Sequence, residues 1–219
     1  MRLGNTKAPP TPKDKIIHPL FVRITHWINA IAVMVMLMSG WRIYNASPVF
    51  DGVRFPPEMT LGGWLAGALA WHFAVMWLLV LNGLASMIYG VFSGHFWRDL
   101  IRFSPIPAYR DLRLEFRTLL LYGTGEYNIV QRVLYICVIW IVIALVVSGI
   151  AIWKPVQFQA LTAFLGGYEH ARGLHFFAMV GLVAFLVIHV SVAFAVKGTM
   201  QSMFTGRLAK HLRGAEQRK

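Results

Sequence analysis

Two histidines, His175 and His189, stand fourteen residues apart in an apolar run, Leu174 to Val196, that is long enough to cross a bilayer. An ionisable side chain inside a membrane helix is costly, and such residues mark functional sites. Fourteen residues turn an α-helix through about 1400°, about 40° short of four full turns, and climb about 21 Å. Both imidazoles therefore leave one face of the helix, too far apart to share a metal ion. The chemistry that fits is two separate groups stacked across the membrane, each taking one imidazole from this helix and a second from elsewhere.

The elements that position those ligands follow from composition. The chain has 219 residues, 57% of them apolar and only 14% charged, with a mean hydropathy of +0.58. It reads as an all-α polytopic membrane protein rather than a soluble domain. Four spans are expected, at about Ile24 to Tyr44, Gly63 to Phe92, Val133 to Trp153 and Leu174 to Val196, each long enough for one crossing. Trp27, Trp41, Trp64, Trp71 and Trp153 read mostly as an interfacial belt. Between the second and third spans, Leu112, Phe116 and Leu119 have helical spacing within Tyr109 to Tyr122. With Arg113 and Arg117 there, an amphipathic helix lying on the membrane is expected.

A net charge of +12 would suggest nucleic acid in a soluble protein. Here the basic residues lie between the apolar runs, the positive-inside pattern, and no nucleic-acid partner is expected. The N-terminal tail, the middle loop and the C-terminal tail hold seventeen lysines and arginines, and the other two loops hold only Arg42, Arg54, Lys154 and Arg172. Both termini are therefore placed in the cytoplasm. The expected organisation is a disordered tail over residues 1–18, a four-helix membrane domain over 19–200 and a basic tail over 201–219. The first eighteen residues lack an apolar core, so no cleavable signal peptide is expected. No internal repeat stands out.

Of eight histidines, four lie in the spans: His26, His72, His175 and His189. Depth pairs His26 with His189 near the cytoplasmic side and His72 with His175 near the outside, and a bundle core between facing helices suits such sites. Gly40 follows His26 by fourteen residues and Gly83 follows His72 by eleven, so each glycine faces its histidine's side at the height of the opposite layer. Small residues let a bulky neighbour approach; generic helix packing is the alternative reading. His18, His95, His170 and His211 lie outside the spans and read as solvated or interfacial.

Two imidazoles per site is the ligation of an electron-transfer haem, with no open position at the metal. Zinc would want four ligands, and no cysteine or carboxylate lies at these depths. The single Cys137 excludes a c-type CxxCH attachment, so the expectation is two non-covalent b haems held by His26, His72, His175 and His189. Satisfied structural histidines are the competing reading. Arg23 and Arg172 offer forked donors for haem propionates, with interfacial anchoring as the alternative.

The motifs R-x-x-H-W at Arg23 to Trp27, W-H-F at Trp71 to Phe73, and L-H-F with I-H-V fourteen residues on resemble a known family. It comprises the di-haem b-type cytochrome subunits of nickel–iron hydrogenases and of formate dehydrogenase, within the wider bacterial cytochrome b561 superfamily. The loops around Tyr127 to Gln157 and G-G-Y-E-H-A-R-G-L-H-F are most similar to subunits that accompany periplasmic molybdopterin oxidoreductases; a hydrogenase-like partner is the less close match. The resemblance implies a bacterial inner-membrane protein relaying electrons between a periplasmic enzyme, docked on the outer loops, and the quinone pool. It also implies the same histidine pairing, with quinone at the cytoplasmic-side haem. A stand-alone b561-type quinone oxidoreductase using a small donor such as superoxide, and a non-redox membrane scaffold, are the alternatives.

Overall fold

A computed structural model describes residue 16 and residues 18–94, 129–195 and 198–207. The described chain is helical, with four helices long and apolar enough to cross a membrane. They are α1 (Leu20–Ala46), α2 (Leu65–Phe92), α3 (Ile129–Trp153) and α5 (Tyr168–Ala195), with a 3-10 turn at Pro57–Met59 between α1 and α2, a short helix α4 (Gln159–Phe164) between α3 and α5, and a short helix α6 (Thr199–Thr205) after α5. The amphipathic helix expected within Tyr109 to Tyr122, like His95, Lys197 and His211, lies outside the described residues.

Local chemistry explains the ends. Pro48 and Pro155 follow α1 and α3 closely, and a proline pushes the residue before it out of helical geometry. The 27 or 28 residues of α1, α2 and α5 rise about 40 Å, more than the hydrocarbon thickness of about 30 Å. The excess is clearest in α5, which begins at Tyr168 rather than at the start of the apolar run. Gly166 and Gly167 take positive φ of 87° and 101°, a conformation that suits glycine. The helix then carries Glu169 and Arg172, paired at 3.1 Å, beyond its apolar part. Polar residues that read as loop are thus its first turns.

The helices associate in two pairs, α1 along α2 and α3 along α5. Their most buried positions are small: Ala32 and Ser39, Ala68, Ser148 and Ala151, and Ala171. Small residues let helix backbones approach where lipid removes the usual hydrophobic drive. Between the pairs the backbones stand further apart, and aromatic side chains bridge them. The Trp41 indole donates to Met179 Sδ at 3.4 Å, Tyr44 stacks on Phe176 at 5.0 Å, and Phe73 meets Trp153 at 5.5 Å. Outward, Leu81, Ile88, Trp140 and Val187 are exposed, as lipid-facing residues should be.

One polar clasp ties α1 to α2 near His26. The Asn82 amide is buried and donates to the Thr25 carbonyl and to Asn29 Oδ1, both at 2.8 Å. Because interhelical hydrogen bonds in membranes average about 0.6 kcal/mol, a double-mutant cycle on Asn29→Ala and Asn82→Ala should give a coupling of about that size. Steric-trap or denaturant unfolding in detergent measures it.

Candidate cofactor site

The four span histidines fall in two layers. The layer at the loop ends of the bundle holds His72 of α2 and His175 of α5. Each ring is seated against the neighbouring helix of its own pair by the same two residues. Ser39 Oγ lies 3.0 Å from His72 Nδ1 and donates to the Val35 carbonyl at 2.7 Å. Ser148 Oγ lies 3.0 Å from His175 Nδ1 and donates to the Ala144 carbonyl at 2.5 Å. Both serines are fully buried. A hydroxyl has one proton, and the carbonyl is placed to take it. With the ring proton on Nδ1, the oxygen accepts from Nδ1–H and Nε2 is left unprotonated, the tautomer a metal ligand needs.

The following residues complete each seat. A Cβ added at Gly40 would sit 3.4 Å from His72 Cε1, and one at Gly149 would sit 3.4 Å from His175 Cε1. Such a methyl would already touch the ring, and a longer side chain would displace it.

In the layer at the terminal ends, His26 of α1 and His189 of α5 have ring centroids 6.0 Å apart and planes at 55°. Metal–imidazole nitrogen bonds of about 2.0–2.1 Å, with two rings opposed across one metal, put the centroids about 6.3 Å apart. The separation thus suits two axial imidazoles on a single ion. Phe185 stacks on His189 at 5.5 Å, and Trp27 meets His26 edge-on at 5.5 Å. No hydrogen bond to either histidine is present among the described residues. Gly83, beside the Asn82 clasp at this level, would meet nothing within 4 Å of an added Cβ.

The donor sets distinguish candidate groups. Among the described residues no three His, Cys, Asp or Glu side chains converge, whereas a structural zinc takes four protein ligands. Two imidazoles per layer, drawn from different helix pairs in each case, suit a planar group that brings its own four nitrogens. A haem of the b type, held without covalent attachment, is such a group.

The two arginines are engaged within the protein. Arg23 donates from Nε to the Met203 carbonyl at 3.2 Å and from its fork to the Phe204 carbonyl, so it caps the end of α6. Arg172 donates to Glu169 and to the carbonyl and hydroxyl of Ser47, which ties α5 to the end of α1. Sequence reading missed Ser39, Ser148 and Gly149. The one available signal was the Ser-Gly dipeptide in both the first and the third span, at 39–40 and 148–149.

With this geometry in hand, comparison with known proteins is informative. Residues 17–206 match the family model described as prokaryotic cytochrome b561. The chain is 45% identical over 191 residues, 87% of its length and 96% of the relative's, to the putative protein-methionine-sulfoxide reductase subunit YedZ1 of Azospira oryzae. It is 26% identical over 193 residues, 84% of its length and 81% of the relative's, to the formate dehydrogenase cytochrome b556(fdo) subunit of Escherichia coli K12. The nitrate-inducible formate dehydrogenase cytochrome b556(Fdn) subunit of the same strain is 28% identical over 86 residues, 39% of each chain. No solved structure matches.

Next to the Arg23 cap, the His18 amide donates to the Gly206 carbonyl at 3.4 Å. Burial, and then the Arg23 charge, hold the His18 imidazole below its ordinary pKa. Protons therefore bind the undocked segment more readily. As pH falls below about 6.5, the contact between residue 18 and residues 198–207 should loosen, because the undocked form gains protons first. Hydrogen exchange of residues 199–206 between pH 8 and pH 5.5 checks this: protection is expected to be highest at the alkaline end, and a flat profile would refute it.

Proposed function

The chain belongs to the prokaryotic cytochrome b561 family, and we propose that it carries two b haems, one on His26 and His189 and one on His72 and His175, which relay electrons across the membrane. Membership makes it a multi-pass bacterial inner-membrane, haem b electron-transfer subunit that works with an oxidoreductase partner. The observation that carries the two-haem reading is the pair of bis-imidazole layers, with one layer at a centroid separation of 6.0 Å.

Haem held by His26 and His189, and by His72 and His175, would supply one-electron redox chemistry without an open position for a substrate. The chain's own residues do the rest. Ser39 and Ser148 present Nε2 of His72 and His175. Gly40 and Gly149 leave room for those rings. The small-residue contacts within each helix pair hold the ligands of one layer at opposite sides of the bundle. His175 and His189 on one rigid helix keep the two layers about 21 Å apart along its axis, so electrons pass between the membrane faces. Arg23 and Arg172 hold helix ends with part of their five N–H donors, which leaves the remaining donors for haem propionates.

The charge asymmetry supports cytoplasmic termini, which puts the His72–His175 layer toward the periplasm. The likeness to YedZ1 over 87% of the chain supports a periplasmic reductase of methionine sulfoxide in proteins as the partner, a molybdopterin enzyme on the earlier resemblance. Electrons would then run from the quinol pool outward. The formate dehydrogenase relatives favour the opposite direction, but at 26% identity they weigh less. Quinone is assigned to the His26–His189 layer. There Trp27 Nε1 is the buried side-chain donor without a partner among the described residues, and it adjoins the His26 ring.

The test is haem stoichiometry by pyridine haemochrome on the purified intact chain. Two haems per polypeptide are expected; His175→Ala and His189→Ala should each lower this to one and remove different components of a redox titration. A wild-type ratio near one would overturn the two-layer assignment.

A further inference from the structure

We propose that Ser39 and Ser148 are positioning residues that set the reduction potential and ring orientation of the haem held by His72 and His175, and of that haem alone. The inference rests on the ligation just proposed and goes beyond it, because it concerns what the protein does to one of two otherwise like-ligated irons.

Three observations carry it. The two serines occupy equivalent places: each lies on the first helix of its pair, fully buried, 3.0 Å from Nδ1 of a histidine on the second helix. Each hydroxyl is placed to donate to a carbonyl one turn back, Val35 or Ala144, so with the ring proton on Nδ1 it faces the imidazole as an acceptor. Neither His26 nor His189 has such an acceptor among the described residues.

The consequence is electronic and geometric. An acceptor on the far nitrogen of a ligating imidazole raises the basicity of the ligand and fixes its plane. A more basic ligand favours ferric over ferrous iron, so it lowers the potential; hydrogen bonding around the ligands is one of the protein's few levers on a haem. Acting on both axial ligands, the serines lower the His72–His175 haem relative to an unassisted pair. The Ser-Gly seats at residues 39–40 and 148–149 also hold both rings in fixed planes, whereas the His26 and His189 rings are set by aromatic contacts.

The experiment uses the full chain in detergent or nanodiscs, with Ser39→Ala, Ser148→Ala and the double variant. Optical redox titration reads the midpoints, and low-temperature EPR reads the low-spin g values, which respond to the angle between axial rings. The His72–His175 component is identified as the one missing in His175→Ala. With both haems retained, that component should rise in potential in each single variant and further in the double, with altered g values, while the other component stays in place. Ser39→Thr and Ser148→Thr, which keep a hydroxyl, should return the potential toward wild type. Unchanged midpoints and g values in the alanine variants would overturn the proposal, as would equal shifts of both components. If the alanine variants shed the haem, the threonine variants decide: a near-wild-type midpoint supports the assignment, and a midpoint far from it overturns it. Failure of His175→Ala to remove a haem would instead overturn the ligation, separately from any result at the serines.

Discussion

An imidazole within the hydrocarbon of a membrane must satisfy two ring nitrogens where no water reaches, and the rest of this structure follows from how that is done. At His72 and His175 one nitrogen meets a serine on the partner helix, and the other is the one proposed to bind iron. The serine can serve as an acceptor because its helix backbone is placed to take its own proton. The next residue is glycine, and a Cβ there would stand in van der Waals contact with the ring. Two residues in sequence thus provide an acceptor and the space beside it, and the arrangement occurs once in each helix pair.

Packing divides along the same line. Inside each pair the helices meet through alanine, serine and glycine, so close approach replaces the hydrophobic drive that lipid removes. Between pairs the contacts are made by Trp41, Tyr44, Phe73, Trp153 and Phe176, long side chains that join helices without drawing the backbones together. That spacing would admit a planar group between the pairs, with one imidazole from each. The ends are closed by hydrogen bonds: Arg172 joins α5 to α1 at the loop side, and Arg23 joins α1 to α6 at the terminal side.

The two layers differ in a way that suits a relay. One is hydrogen-bonded at both histidines; the other is bounded by aromatic rings and lies beside the Asn82 clasp and the Trp27 indole. On the proposed reading, a site facing a partner enzyme and a site facing a diffusible carrier are different tasks, and the same ligand type would serve both because its surroundings differ.

Much of this was legible in the residues themselves. Hydropathy and length placed four spans, and the helical repeat placed His175 and His189 on one face, because rise and turn per residue are properties of the backbone alone. Depth matching put His26 beside His189, whose rings lie 6.0 Å apart, and it put Gly40 at the height of His72, whose ring it borders. The start of α5 at Tyr168 was hidden because a helix that leaves the membrane becomes polar without ceasing to be helical. Short α4 and α6 were hidden because they are stabilised by neighbours, as where Phe204 stacks on Trp27 at 4.8 Å. What only the tertiary structure decided is how each helix is rotated against the next. That rotation brings Ser39 to His72 across 33 residues, Ser148 to His175 across 27, and the Arg23 and Arg172 forks to backbone carbonyls of other helices. A helix's own periodicity states which residues share a face, but the partner of that face is set by the summed packing of all four spans.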